Sequence, residues 1–62
     1  MTKVAIRQVN GMLEVSNFGM CVIRDTRETI MDVLQEQILE ETDLYTKKLI
    51  GEILILLKRL DY

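Results

Sequence analysis

The sequence predicts an α+β fold: a three-stranded antiparallel β-meander over residues 1–24, then a helical region over residues 25–60. Three observations carry this expectation. Asn10-Gly11 interrupts an alternating segment, Asn17-Phe18-Gly19 interrupts a second, and from Ile30 onward apolar residues recur at helical spacing. Residues 1–62 read as a single domain without repeats, low-complexity segments or a linker.

Asn-Gly is the strongest short hairpin signal, because both central positions of a type I′ turn need positive φ. A two-residue turn at Asn10-Gly11 sets Val9 opposite Met12, Gln8 opposite Leu13, Arg7 opposite Glu14 and Ile6 opposite Val15. Arg7 and Glu14 then meet as an opposite-charge pair, and Ile6 meets Val15 on the other face. The second turn reads as a three-residue loop, Asn17-Phe18-Gly19, with Gly19 in the left-handed position. This loop starts strand three at Met20 and pairs Ser16 with Met20, Val15 with Cys21 and Leu13 with Ile23. One face becomes Val4, Ile6, Leu13, Val15, Cys21 and Ile23, which makes Cys21 a buried thiol. An antiparallel sheet with one apolar face needs a helix laid on it.

Asp25 or Thr26 caps the first helix, with Glu28 completing a capping-box pattern. Ile30, Met31, Leu34 and Ile38 form its core stripe. Beyond residue 40 two readings stand. One is a single long helix, straight or bent, since no Gly, Pro or Asn lies between Asp32 and Leu49. The other is two helices, since Thr42-Asp43 is a good helix start. Leu49, Ile53, Leu56 and Leu60 keep helical spacing, although a buried strand after Gly51 is a third reading of Glu52–Lys58.

The run Ile53-Leu54-Ile55-Leu56-Leu57 turns through about 400° on a helix, so apolar surface wraps the whole circumference. A core of this size supplies about 3–5 kcal/mol unless disulfides, metal or oligomerisation help. Cys21 is the only cysteine and there is no histidine, so a disulfide within the chain is excluded and a zinc site is not expected. Oligomerisation, or a stable partner, remains. The sequence therefore predicts a homodimer through the C-terminal helix, with Leu49, Ile53, Leu54, Ile55, Leu56, Leu57 and Leu60 as the self-association residues and Gly51 allowing close approach.

Glu28, Asp32, Glu36 and Glu40 step along the first helix at i, i+4, and Asp43 falls on the same side. Residues 25–43 hold seven acids against one base, Arg27. Either this is a solvated face or it docks on a basic partner, so these five residues are the candidate partner-binding set. Lys47, Lys48, Lys58 and Arg59 make the C-terminal helix basic, able to pair with the acids of its own chain or a neighbour. Phe18, Tyr45 and Tyr62 are the only aromatics, and Phe18 at a loop tip reads as an exposed anchor.

No catalytic, cofactor-binding or metal-ligating set emerges: no histidine, no glycine-rich phosphate loop, no nucleophile beside a base. The net charge of −2, with Lys and Arg dispersed, argues against nucleic acid. The longest apolar run is far short of the roughly 18 residues that span a bilayer. "MTKVAIRQVNG" lacks the continuous apolar stretch of a signal peptide. A lone thiol without an export signal points to the cytoplasm.

The expected function is a small non-catalytic protein-interaction module, a regulator or inhibitor of another protein. Phage and mobile-element anti-repressors and anti-defence proteins are of this size and simplicity. The alternative is a DNA-binding regulator. In the order strand, helix, helix, residues 20–60 resemble the ribbon-helix-helix repressors. That resemblance implies an obligate dimer with β-strands in the major groove. The sequence departs from the pattern in lacking an inter-helix glycine, in carrying an extra hairpin, and in offering only Arg24 as a good base-reading side chain.

Overall fold

The computed structural model describes residues 1–60; Asp61 and Tyr62, one of the aromatics noted above, lie outside the described residues. The chain order is β1 (Val4–Val9), β2 (Met12–Asn17), β3 (Met20–Asp25), α1 (Arg27–Glu40) and α2 (Leu44–Arg59). The strands form one antiparallel sheet in the order β1-β2-β3. Both helices supply buried side chains to one apolar core with the sheet, giving an α+β fold of two layers.

The first hairpin has the expected register throughout, from Val9 opposite Met12 to Ile6 opposite Val15. Asn10 and Gly11 adopt φ of 51° and 80°, as a type I′ turn demands. The second hairpin corrects the sequence reading. Its loop is two residues, Phe18 and Gly19, both at positive φ (54° and 79°), so Asn17 pairs with Met20 and Ser16 with Cys21. A bulge then restores the apolar face. The register shifts between Ser16 and Val15, so Val15 faces Ile23 and the extra residue, Val22, is exposed. Cys21 is consequently exposed, not buried, because its partner is outward-facing Ser16 rather than Val15.

The helical region is two helices, not one long helix and not a strand after Gly51. Thr26 caps α1, accepting a hydrogen bond from the Thr29 backbone N–H at 3.3 Å. The chain leaves α1 through Glu41 in an extended conformation (φ −72°, ψ 131°), which any residue can adopt. The Glu41 carboxylate accepts from the backbone N–H of Thr42 (3.2 Å) and of Asp43 (3.1 Å). Asp43 then caps α2, accepting from the Thr46 backbone N–H at 2.9 Å and its hydroxyl at 2.8 Å. Side chains satisfy the polar groups of the junction, so no glycine is required.

Leu13 and Val15 of the central strand, Ile30 and Leu34 of α1, and Ile50, Ile53 and Leu57 of α2 are buried together. Arg27 ties the two helices at the far end, its Nε and Nη2 donating to the Leu57 carbonyl at 3.0 and 2.9 Å. Asn17 ties the sheet to α2: its Oδ1 accepts from the Lys3 N–H at 2.9 Å, and its Nδ2 donates to the Tyr45 hydroxyl at 3.1 Å. The Thr2 hydroxyl bonds the Glu52 carboxylate.

Two predictions follow from this packing. Ile53→Ala should cost about 2–5 kcal/mol, as much as the whole stability of a core this small, and leave the chain largely unfolded in a urea titration. At protein concentrations low enough to keep the chain monomeric, Ile55→Ala, two residues away on the solvent side, should stay within about 0.5 kcal/mol of the parent. The second prediction concerns acid. Hydrogen bonds from the Thr46 backbone N–H, then from its hydroxyl, hold the Asp43 carboxyl below its ordinary 3.8. A depressed folded-state value stabilises the fold above the unfolded-state value, and the contribution is lost as pH falls through the folded one. Asp43→Asn keeps a cap but cannot titrate, so thermal melts below about pH 4 should fall less steeply with acid than those of the parent.

Candidate functional site

The five-residue run distributes itself between the chain's own layers and solvent. Ile53 and Leu57 are fully buried in the core, and Leu49, Leu54 and Leu60 pack partly buried against it. Leu56 is half-buried and Ile55 is 54% exposed. Ile53 and Leu57 therefore have no surface to offer a second chain, which corrects their expected role in self-association. The reason is geometric: the sheet and α1 together take most of the α2 circumference, leaving one narrow stripe outside.

That stripe is Leu44, Lys48, Gly51, Ile55 and Arg59, at steps of four, three, four and four residues. Leu44 is 81% exposed, and the sequence reading missed it. The signal was the spacing itself, which extends the stripe from Ile55 back to the start of the helix. Lys48, Gly51, Glu52, Ile55, Leu56 and Arg59 line a shallow groove along it. A methyl group added at Gly51 would meet Ile38 Cδ1 at 3.8 Å, an ordinary contact, so Gly51 lies against α1.

On α1, Glu28, Asp32, Glu36 and Glu40 are all exposed. Leu39 stands among them at 85% exposure, and Asp32, Val33, Gln35, Glu36 and Leu39 line a second shallow groove. Asp43 belongs to a different structure: the helix ends before it, and its carboxylate is committed to capping α2. Arg27, the one base in this segment, points to the Leu57 carbonyl. Among the described residues the only ion pairs surround Glu14, which lies between Arg7 (2.8 Å) and Arg24 (3.9 Å) on the outer face of the sheet. Among the described residues the acids of α1 and the bases of α2 thus form no ion pair.

The tip of the second hairpin offers a further surface. Phe18 (53% exposed) sits at the tip of the second hairpin, with Met20 (75% exposed) and Val22 following along β3. A bulky residue at positive φ is disfavoured by contact between its Cβ and the backbone. Phe18 holds that position, where Asn or Gly would relieve the strain. Among the described residues no group of three or more His, Cys, Asp or Glu side chains could hold a metal ion. No described helix is long and apolar enough to cross a membrane.

In comparisons with known proteins, the chain matches no protein-family model, no curated protein and no solved structure.

Gly51→Ala provides a test of the α2 surface. Glycine inside a helix costs about 0.5–1 kcal/mol relative to alanine, and the added methyl meets only Ile38 at contact distance. At low protein concentration the variant should be more stable than the parent by about that amount in urea titrations. A loss of stability would mean that Ile38 cannot yield and that the helices are packed more tightly than this spacing indicates.

Proposed function

We propose that the chain is a small, non-catalytic protein-binding module that regulates or inhibits a protein target, and that it acts as a cytoplasmic homodimer through α2. The observation that carries the reading is Phe18: an aromatic side chain held out in solvent by a backbone conformation that favours glycine or asparagine. Strain of this kind persists where the surrounding structure over-determines it, and it gathers at sites of function. Met20 and Val22 extend the exposed apolar surface along β3. A protein surface with an apolar recess is the natural complement to such a tip; a phosphate backbone is not.

The homodimer reading is supported by Ile55 and Leu44, which keep apolar surface on the outer stripe of α2. The acidic face of α1 supplies the complement for a basic protein surface. The cytoplasmic reading is supported by Cys21, an exposed lone thiol of the kind a reducing compartment keeps free. No observation favours the ribbon-helix-helix reading. Its strand pairs with the partner copy to form a free ribbon, whereas β3 here is the third strand of a meander, and Arg24 lies beside Glu14.

Phe18→Asn separates binding from folding. It should raise stability by about 0.5–1 kcal/mol by relieving the turn, while abolishing capture of the target from a bacterial lysate by the immobilised protein. Recovery of the same proteins by parent and variant, or of the bait alone by both, would overturn the assignment of the tip.

A further inference from the structure

Resting on the self-association proposed for α2, we infer that two copies pair through the outer faces of their helical layers. The α1 of each copy lies over the α2 of the other, with Leu39 seated in the groove at Gly51. The observation behind this is the division of charge and apolar surface between the two helices. At about 100° per residue, Glu28, Asp32 and Leu39 fall within roughly 40° of one another, on the side of α1 opposite buried Ile30. Leu44, Lys48, Ile55 and Arg59 fall within about 60° of one another, opposite buried Ile53 on α2. Both groups therefore face away from the sheet. One helix presents acid around an exposed leucine; the other presents Lys48 and Arg59 at the two ends of an apolar groove, with Glu52 at its edge engaged by the Thr2 hydroxyl.

The register follows from the chain's own geometry. Arg27 at the start of α1 reaches Leu57 near the end of α2, so the helices run antiparallel. Ile38 and Gly51 stand at the same height. A two-fold axis running along the helices, between the two layers, sets α1 of one copy over α2 of the other at unchanged height, and makes both halves of the contact identical. Leu39 then lies over the shallow groove that Lys48, Gly51, Ile55 and Leu56 of the second copy line. Glu28 and Asp32 come opposite Arg59 of the second copy, and Lys48 of the second copy comes beside Glu40 at the end of α1. Charges that form no ion pair among the described residues of one chain meet opposite charges in the other. The reverse arrangement, α1 over α1, would stack four acids on four acids and is disfavoured by several kcal/mol.

Symmetry allows a decisive test by charge exchange. One variant carries Glu28→Lys and Asp32→Lys, setting base opposite Arg59; the other carries Arg59→Glu, setting acid opposite Glu28 and Asp32. Light scattering over a dilution series from roughly 100 to 1 μM should show a dimer for the parent and monomers for each variant alone, with dissociation constants raised at least about 100-fold. An equimolar mixture of the two variants should restore a dimer, since both half-contacts then pair acid with base. All three positions are exposed, and circular dichroism checks that each variant is folded. Leu39→Ala, which leaves the charges untouched, should also weaken the parent dimer. Variants that dimerise like the parent would overturn this face while leaving self-association standing, and so would a mixture that stays monomeric. A parent chain that is monomeric throughout would overturn the self-association as well.

Discussion

Ile53 and Leu57 show no surface to solvent because two different layers reach them at once, and the rest of the fold depends on that double contact. A three-stranded sheet with an apolar face can be half covered by one helix; the second must fill the remainder and seal the first. α2 does both. Its buried residues, Ile50, Ile53 and Leu57, share one core with Leu13 and Val15 below and Ile30 and Leu34 beside them. The polar ties sit at the margins of this contact rather than inside it. Arg27 closes one end on the Leu57 carbonyl, and Asn17 closes the other on Tyr45. No buried side-chain polar atom among the described residues lacks a partner, so the small core is not weakened by unmet hydrogen bonds.

The meander shows how local chemistry is legible when the residue type and the backbone agree, and illegible when they do not. Asn10-Gly11 carries the two residues that best tolerate positive φ, and the register of the whole first hairpin could be read from it. Phe18 does not advertise positive φ, so the second turn reads naturally as one residue longer than it is. The error carries to Cys21, since a one-residue slip exchanges the two faces of a strand. The bulge at Val22 then returns Ile23 to the apolar face. Ile23 was thus placed on the correct face through an incorrect partner: Leu13 was expected, and Val15 stands there.

The helices divide the same way. The break at Glu41–Asp43 lacks the glycine that usually marks a helix end, because the chain passes through it in extended conformations and two carboxylates take up the free N–H groups. Asp43 as a helix start was visible; Glu41 as its brace was not. The four acids of α1 could be read directly from their i, i+4 spacing, and all four are exposed. The outer stripe of α2 could not. Five consecutive apolar residues mask which one faces outward, and only the positions of the sheet and α1 distinguish Ile55 from Ile53.

The segregation of charge between the helices bears on how such a chain stays specific. α1 and α2 lie side by side, one acidic and one basic, and their packing could have brought those charges together across the hairpin. Instead the surfaces they share are apolar, through Ile38 at Gly51, with one guanidinium on a backbone carbonyl. Exposed pairs would have added little to stability in any case, about 0–1 kcal/mol each. Acid and base on separate outward faces give the molecule a surface with direction, of the kind that favours one orientation of an approaching charged surface over others. In a chain whose core is filled by its own two helices, what distinguishes right from wrong partners must lie outside that core. On the function proposed above, it would rest on the order of charges around Leu39 and Ile55 and on the strained turn that holds out Phe18.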